Sequence, residues 1–217
     1  MTRGYTIVEL MIVVVIIAIM SALALPALME SRKNTRLGEL PRITLSIFET
    51  ARSRALMRNS ATRIIITKGT TVAPGSIVMH ESLTTSCNMF PRSATDTLRG
   101  ASSRWSLMSL DINQEPYLRY GIYMSLLGIG TVTYDAGGRH LTGDFGYASM
   151  DLCLNRRGLV LQNIGTFSTP DWIRMNAGGV TTDNQVVIGF QRSDGGLDVG
   201  VERVVVVKQG AVARIVR

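Results

Sequence analysis

Residues 3–29 read RGYTIVELMIVVVIIAIMSALALPALM, and this stretch decides how the chain is organised. Between Arg3 and Glu30 the only charged residue is Glu9. From Leu10 to Met29 there is no charge, one serine (Ser21) and one proline (Pro26). At about 1.5 Å per residue such a run makes roughly 30 Å of helix, the thickness of a bilayer core. Three readings compete: a buried core helix, a cleaved secretory signal peptide, and a retained membrane anchor. Core helices seldom run so long without a charge. A signal peptide has a shorter apolar core and an A-x-A-like site, which SALALPAL matches only loosely. Glu9 separates the readings. A carboxylate at the start of an apolar span costs on the order of 2–3 kcal/mol and needs a partner or a task. A signal peptide has no reason to carry it. The dipole of a helix start, which favours an acid in the first turn, is the bland alternative.

The rest of the composition narrows the class. The 217 residues carry 23 basic and 16 acidic groups, a formal charge of +7. Only 18% are charged and 46% are hydrophobic, which excludes a disordered chain. One spanning segment argues against a polytopic membrane protein, and two cysteines exclude a disulfide-rich miniprotein.

Beyond Glu30 the helical pattern turns amphipathic. Leu37, Leu40, Ile43, Ile47, Ala51 and Ala55 recur at spacings of three or four, and Leu45, Phe48 and Leu56 widen the stripe. Arg32, Lys33, Arg36, Arg42, Arg52, Arg54 and Arg58 occupy the other surfaces. Pro26 and Pro41 each remove a helix donor, and a kink or short break is expected at Pro41. Asn59-Ser60 is the expected stop. From residue 60 the pattern is β, with strands expected at 62–67, 75–80, 117–123, 129–134, 150–154, 158–162, 185–191, 199–207 and 211–216. Asp194-Gly195-Gly196 and Gln209-Gly210 are expected hairpin turns. Residues 84–116 show no periodicity and read as a long surface excursion.

Arg3-Gly4-Tyr5-Thr6-Ile7-Val8-Glu9-Leu10 resembles the N-terminal signature of type IV prepilins and type II secretion pseudopilins. There a short basic leader ends in Gly, and an aromatic residue, Thr, two aliphatics, Glu and an apolar helix follow. Tyr5 stands where Phe is usual, and Pro26 falls where many pilins carry a kinking proline. The resemblance implies cleavage by prepilin peptidase between Gly4 and Tyr5 and N-methylation of Tyr5. It implies that Glu9 pairs with the N-terminal amine of a neighbouring subunit. Burying either charge alone costs several kcal/mol, roughly, and pairing offsets both.

A second resemblance is narrower. Ala51-Arg52-Ser53-Arg54-Ala55-Leu56-Met57-Arg58-Asn59 is similar to the stretch that closes the long helix in GspH/FimT minor pilins and pseudopilins. Arg203-Val204-Val205-Val206-Val207 with Gly210-Ala211-Val212-Ala213-Arg214 resembles their terminal hairpin. Val132 to Arg139 resembles an internal turn, while residues 155 to 185 fit less well. The implied fold is α+β and type IV pilin-like: a leader (1–4), a long N-terminal helix (5–58) and a β-rich head (59–217). Within the helix, 5–29 would lie in the membrane or fibre core and 30–58 would be amphipathic. The implied partners are other pilins or pseudopilins, prepilin peptidase and the inner membrane, with the head in the periplasm before entry into a pilus or pseudopilus.

Other chemistry is weakly supported. His80 and His140 are isolated and share no metal-ligand spacing. Gly128-Ile129-Gly130 lacks a third glycine and a following helix. Asp194 and Asp198 flank a turn, which is commoner than a calcium site. No metal, no cofactor and no enzymatic activity are expected. Cys87 and Cys153 are a candidate disulfide in an oxidising compartment, with a free buried thiol at Cys153 as the alternative. The tail carries Arg203, Lys208, Arg214 and Arg217 and no acid after Glu202. Some FimT-type pilins are associated with DNA during natural transformation, so these four are the candidate DNA-binding residues, against a simple solvated basic surface.

Overall fold

The computed structural model describes residues 6–82, 84–87, 103–135, 138–164, 171–174, 185–208 and 212–216; side chains are not described at 103–107, 131–135, 138–143, 173 and 174. Gly4, Tyr5, Gln209, Gly210 and Arg217 therefore lie outside the described residues, as does the side chain of His140. The chain divides into two compact units, Met1–Arg36 and Leu37–Arg217.

Helix α1 runs from Ile7 to Met57. It opens on Thr6 with Glu9 three residues on, the spacing of a capping box. It closes at Asn59, which takes the left-handed conformation (φ 51°) that ends many helices. The helix is unbroken at Pro26 and at Pro41. Each proline removes one donor from the ladder, and Pro41 is buried against the head rather than marking a break. In the first unit, the large apolar side chains from Ile7 to Met29 are exposed.

In the second unit, α1 buries Leu37, Leu40, Pro41, Thr44, Ile47, Phe48, Ala51 and Ala55. These positions follow the expected stripe. Leu56 departs from it and is 48% exposed, while Thr44 takes a core place. The small side chains Ala51 and Ala55 let the helix approach the sheets closely. Full burial of a Leu, Ile or Phe side chain stabilises by about 1.5–3 kcal/mol, so this face is the main attachment of the helix end to the head.

The head has two antiparallel sheets. One contains β1 (Thr62–Lys68), β2 (Gly75–Ser82), β3 (Ser103–Asp111), β6 (Ser149–Leu154), β7 (Val160–Asn163) and β8 (Trp172–Arg174), in the order β3-β2-β1-β6-β7-β8. The other contains β4 (Ile122–Asp135), β5 (Gly138–Asp144), β9 (Gln185–Asp194), β10 (Leu197–Val207) and β11 (Ala213–Val216), in the order β11-β10-β9-β4-β5. Both sheets turn one face to a shared core. Ile64, Ile66, Ile77, Met79, Leu152 and Leu154 come from the first, and Met124, Ile188, Phe190, Val205 and Val207 from the second. Phe48 and Ile47 of α1 sit in the same core.

Gly195 and Gly196 form the two-residue β9–β10 turn, both with positive φ (62° and 90°), the conformation that glycine adopts at no steric cost. Gly128 meets a different demand. A Cβ there would lie 2.1 Å from the Asp144 carbonyl oxygen and 2.4 Å from Phe145 Cα, so the backbone after β5 crosses β4 at this point. Phe145 then covers the outer face of the second sheet with Val187, Val204, Val206 and Val216.

Candidate assembly site

The first site is the start of α1. The Glu9 backbone N–H donates to Thr6 Oγ1 (3.2 Å), and the Thr6 backbone N–H donates to Glu9 Oε2 (3.1 Å). The Thr6 hydroxyl donates to the same Oε2 (3.3 Å). Two helix-start donors, which no preceding turn can satisfy, are thereby met reciprocally. Oε1 is left without a hydrogen-bond partner among the described residues. Glu9 is thus both a cap and a carboxylate with an open acceptor, followed by a helix long and apolar enough to cross a membrane.

The second site is the junction of α1 with the first sheet. Glu81 on β2 shares the inner face with Thr62, its cross-strand partner on β1. Arg54 donates to Glu81 Oε2 at 2.9 Å, and Arg58, one turn later, to Oε1 at 3.2 Å. Ser60 Oγ lies 3.5 Å from Oε1. The Glu81 side chain is 3% exposed, so two guanidinium groups compensate a carboxylate withdrawn from water. By the amphipathic pattern Arg54 and Arg58 lie off the apolar stripe. In the structure they clamp the helix end to the sheet. Arg52, in the same motif, is exposed.

The outer face of the first sheet carries a second buried ion pair. Arg63 on β1 binds Asp151 on β6 through both Nε (2.7 Å, to Oδ1) and a terminal nitrogen (to Oδ2). Asn163 on β7 donates to Asp151 Oδ2 at 3.0 Å. The Arg63 guanidinium carbon lies 5.7 Å from the Trp172 ring centroid, close enough for a cation–π contact. His80 is the β2 partner of Arg63. Burial first, and the neighbouring Arg63 charge second, hold its pKa below the ordinary 6.5, while Asp151 acts in the opposite sense. Beside this pair, Cys87 and Cys153 form a disulfide with a Cα–Cα distance of 6.0 Å, packed with Ala61, Leu161 and Trp172. Neither His80 nor the described carboxylates form a group that could hold a metal.

On the second sheet, Tyr123 donates to Asp198 at 2.7 Å and Ser125 to Glu202 at 2.5 Å, bracketing the β10 bulge between Val199 and Arg203. Burial, the Asp198 hydrogen bond and the nearby carboxylate charges push the Tyr123 pKa up to about 12. Of the candidate DNA-binding residues, Arg203 and Arg214 lie on opposite faces of the second sheet. Arg203 pairs in register with Phe190, a main-core residue, whereas Arg214 pairs with Val206 of the opposite face. Lys208 is exposed beyond the end of β10.

Residues 1–25 match the family described as the prokaryotic N-terminal methylation motif. No curated protein and no solved structure matches the chain. The motif match supports a type IV pilin-like chain, and the long apolar helix with the antiparallel β head has an α+β architecture consistent with that fold.

Proposed function

We propose that the chain is a minor pilin or pseudopilin of the GspH/FimT type. Prepilin peptidase cleaves it after Gly4 and methylates Tyr5, and it leaves the inner membrane to enter a type IV pilus or a type II secretion pseudopilus. Its place is at or near the tip, where the head primes or caps assembly. The observation that carries this reading is the position of Glu9. It lies inside the segment matching the methylation motif, directly before an uncharged apolar run, with Oε1 unbonded among the described residues. That oxygen accepts the methylated amine of the adjoining subunit, and the pair offsets the cost of burying both charges. The head contributes no proposed chemistry; its role is to present surfaces to other subunits.

Mass spectrometry of the N-terminal peptide from cells expressing a prepilin peptidase tests the processing step. The expected product begins at N-methylated Tyr5. A chain that retains Met1–Gly4, or is cut within residues 22–28, contradicts the proposal.

A further inference from the structure

The arginines of the second unit fall into two kinds, and three of the exposed ones lie close together along the fold. Arg54, Arg58 and Arg63 each hold a buried or half-buried carboxylate. Arg52, Arg156 and Arg157 are exposed and have no ion pair or hydrogen bond through their side chains among the described residues. The fold brings the three to one place. Leu154 and Val160 close the β6–β7 hairpin, and residues 155–159 form its turn. Asn155 Oδ1 accepts from the backbone N–H groups of Arg157 (2.9 Å) and Leu159 (3.1 Å), and the Asn155 carbonyl accepts from Gly158 N–H (2.8 Å). Gly158, with φ +70°, is buried against α1: a Cβ on it would lie 3.5 Å from Leu56 Cδ2 and 3.6 Å from Arg52 Cγ. The turn is thus pinned from within and seated on the helix at Arg52 through Gly158, and Arg156 and Arg157, which directly precede Gly158, are exposed.

Arg52 also walls a cleft of about 380 Å³ between the end of α1 and β11, lined by Glu49, Leu56, Met57, Val212 and Ala213 among others. Its apolar lining is open to water: Met57 is 83% exposed, and Leu56 and Val212 about half so. An apolar slot beside three exposed cations, which outnumber the one acid of its lining, Glu49, has a definite complement. We propose that this surface docks an acidic segment of a partner protein. One aliphatic side chain of that segment fills the cleft over Leu56, Met57 and Val212, and flanking carboxylates engage Arg52, Arg156 and Arg157. Guanidinium groups suit carboxylates because the fork donates a hydrogen bond to each of the two oxygens. Nucleic acid fits less well. The cleft lining has no aromatic side chain for a base to stack on, and its apolar wall would meet no counterpart on a phosphate backbone. The inference rests on the assembly reading only in placing that partner among the fibre subunits.

The test uses the full chain in nanodiscs of zwitterionic lipid. Three labelled probes are titrated by fluorescence anisotropy: a short peptide with one leucine flanked by aspartates, the same peptide with lysines replacing the aspartates, and a duplex DNA. The acidic peptide is expected to bind, and added salt is expected to weaken it. Arg156→Glu with Arg157→Glu, at exposed turn positions, should weaken it by about tenfold, and Leu56→Glu should do so separately. Equal or tighter binding of the lysine peptide or of DNA overturns the proposal, as does no binding, or variants that bind like the wild type. These outcomes do not depend on processing at Gly4 or on Glu9, so failure here leaves the assembly role standing.

Discussion

Arg54 of the long helix donates a 2.9 Å hydrogen bond to Glu81 of β2, 27 residues further along the chain. With Arg58 on the other oxygen, the helix end is fixed to the sheet by charge as well as by apolar packing. The two sides of this clamp are not equivalent. Arg54 and Arg58 are 32% and 46% exposed and can be rehydrated if Glu81 is lost; Glu81, at 3%, cannot be if both arginines are lost. Thermal or denaturant unfolding should therefore rank the variants. Glu81→Gln is expected to cost about 1–3 kcal/mol. Arg54→Ala with Arg58→Ala is expected to cost more, about 3–5 kcal/mol, because a buried charge is left alone. A double variant as stable as the wild type would show that the clamp contributes nothing.

The Cys87–Cys153 disulfide links positions 66 residues apart. In the chain-entropy account such a closure stabilises by roughly 4 to 4.5 kcal/mol. The double variant Cys87→Ser with Cys153→Ser should unfold at correspondingly lower denaturant. Mass spectrometry of the chain with and without reductant should show a gain of two hydrogens on reduction. A mass unchanged by reductant would place free thiols at both positions.

His80 makes stability depend on pH. Its pKa is lowered in the folded chain, so the unfolded chain takes up a proton more readily. The folded state is thus favoured above the ordinary value of 6.5 and loses that advantage as pH falls below it. Denaturation measured down to mildly acid pH should show this slope, and His80→Gln should flatten it. An NMR titration with the His80 midpoint at or above 6.5 would contradict the argument.

Much of this fold is legible in the sequence because its signals are local. The uncharged run, Glu9 three residues after Thr6, the three-and-four stripe ending at Asn59, and the Gly195-Gly196 turn each act within a few residues. What escapes is set by contacts far apart in sequence. Strand β3 (Ser103–Asp111) lies in the stretch that read as a surface excursion, and its register with β2 shifts between Met79 and Glu81. Strand β5 (Gly138–Asp144) offers few apolar residues for alternation to reveal, being an edge strand with one hydrogen-bonded neighbour. The strand expected at 117–123 begins only at Ile122, because Leu118–Tyr120 form a 3₁₀ turn closed by Gly121 in the left-handed region. The clamp escapes for the same reason, since nothing near Arg54 or Arg58 names Glu81 as their partner. The candidate arginines of the tail looked like one group because they are close in sequence; strand alternation sends Arg203 and Arg214 to opposite faces.

If Glu9 guides this chain into a fibre, as proposed, Glu9→Ala in the producing cell should be processed but left out of the fibre. The variant should lose about 0.5–2 kcal/mol of helix capping, too little to unfold a helix held by the membrane and the head. It should be cleaved after Gly4, methylated on Tyr5 and retained in the inner membrane. Sheared fibres probed for the chain should lack it, whereas wild-type fibres carry it. Incorporation of Glu9→Ala at the wild-type level would contradict the account.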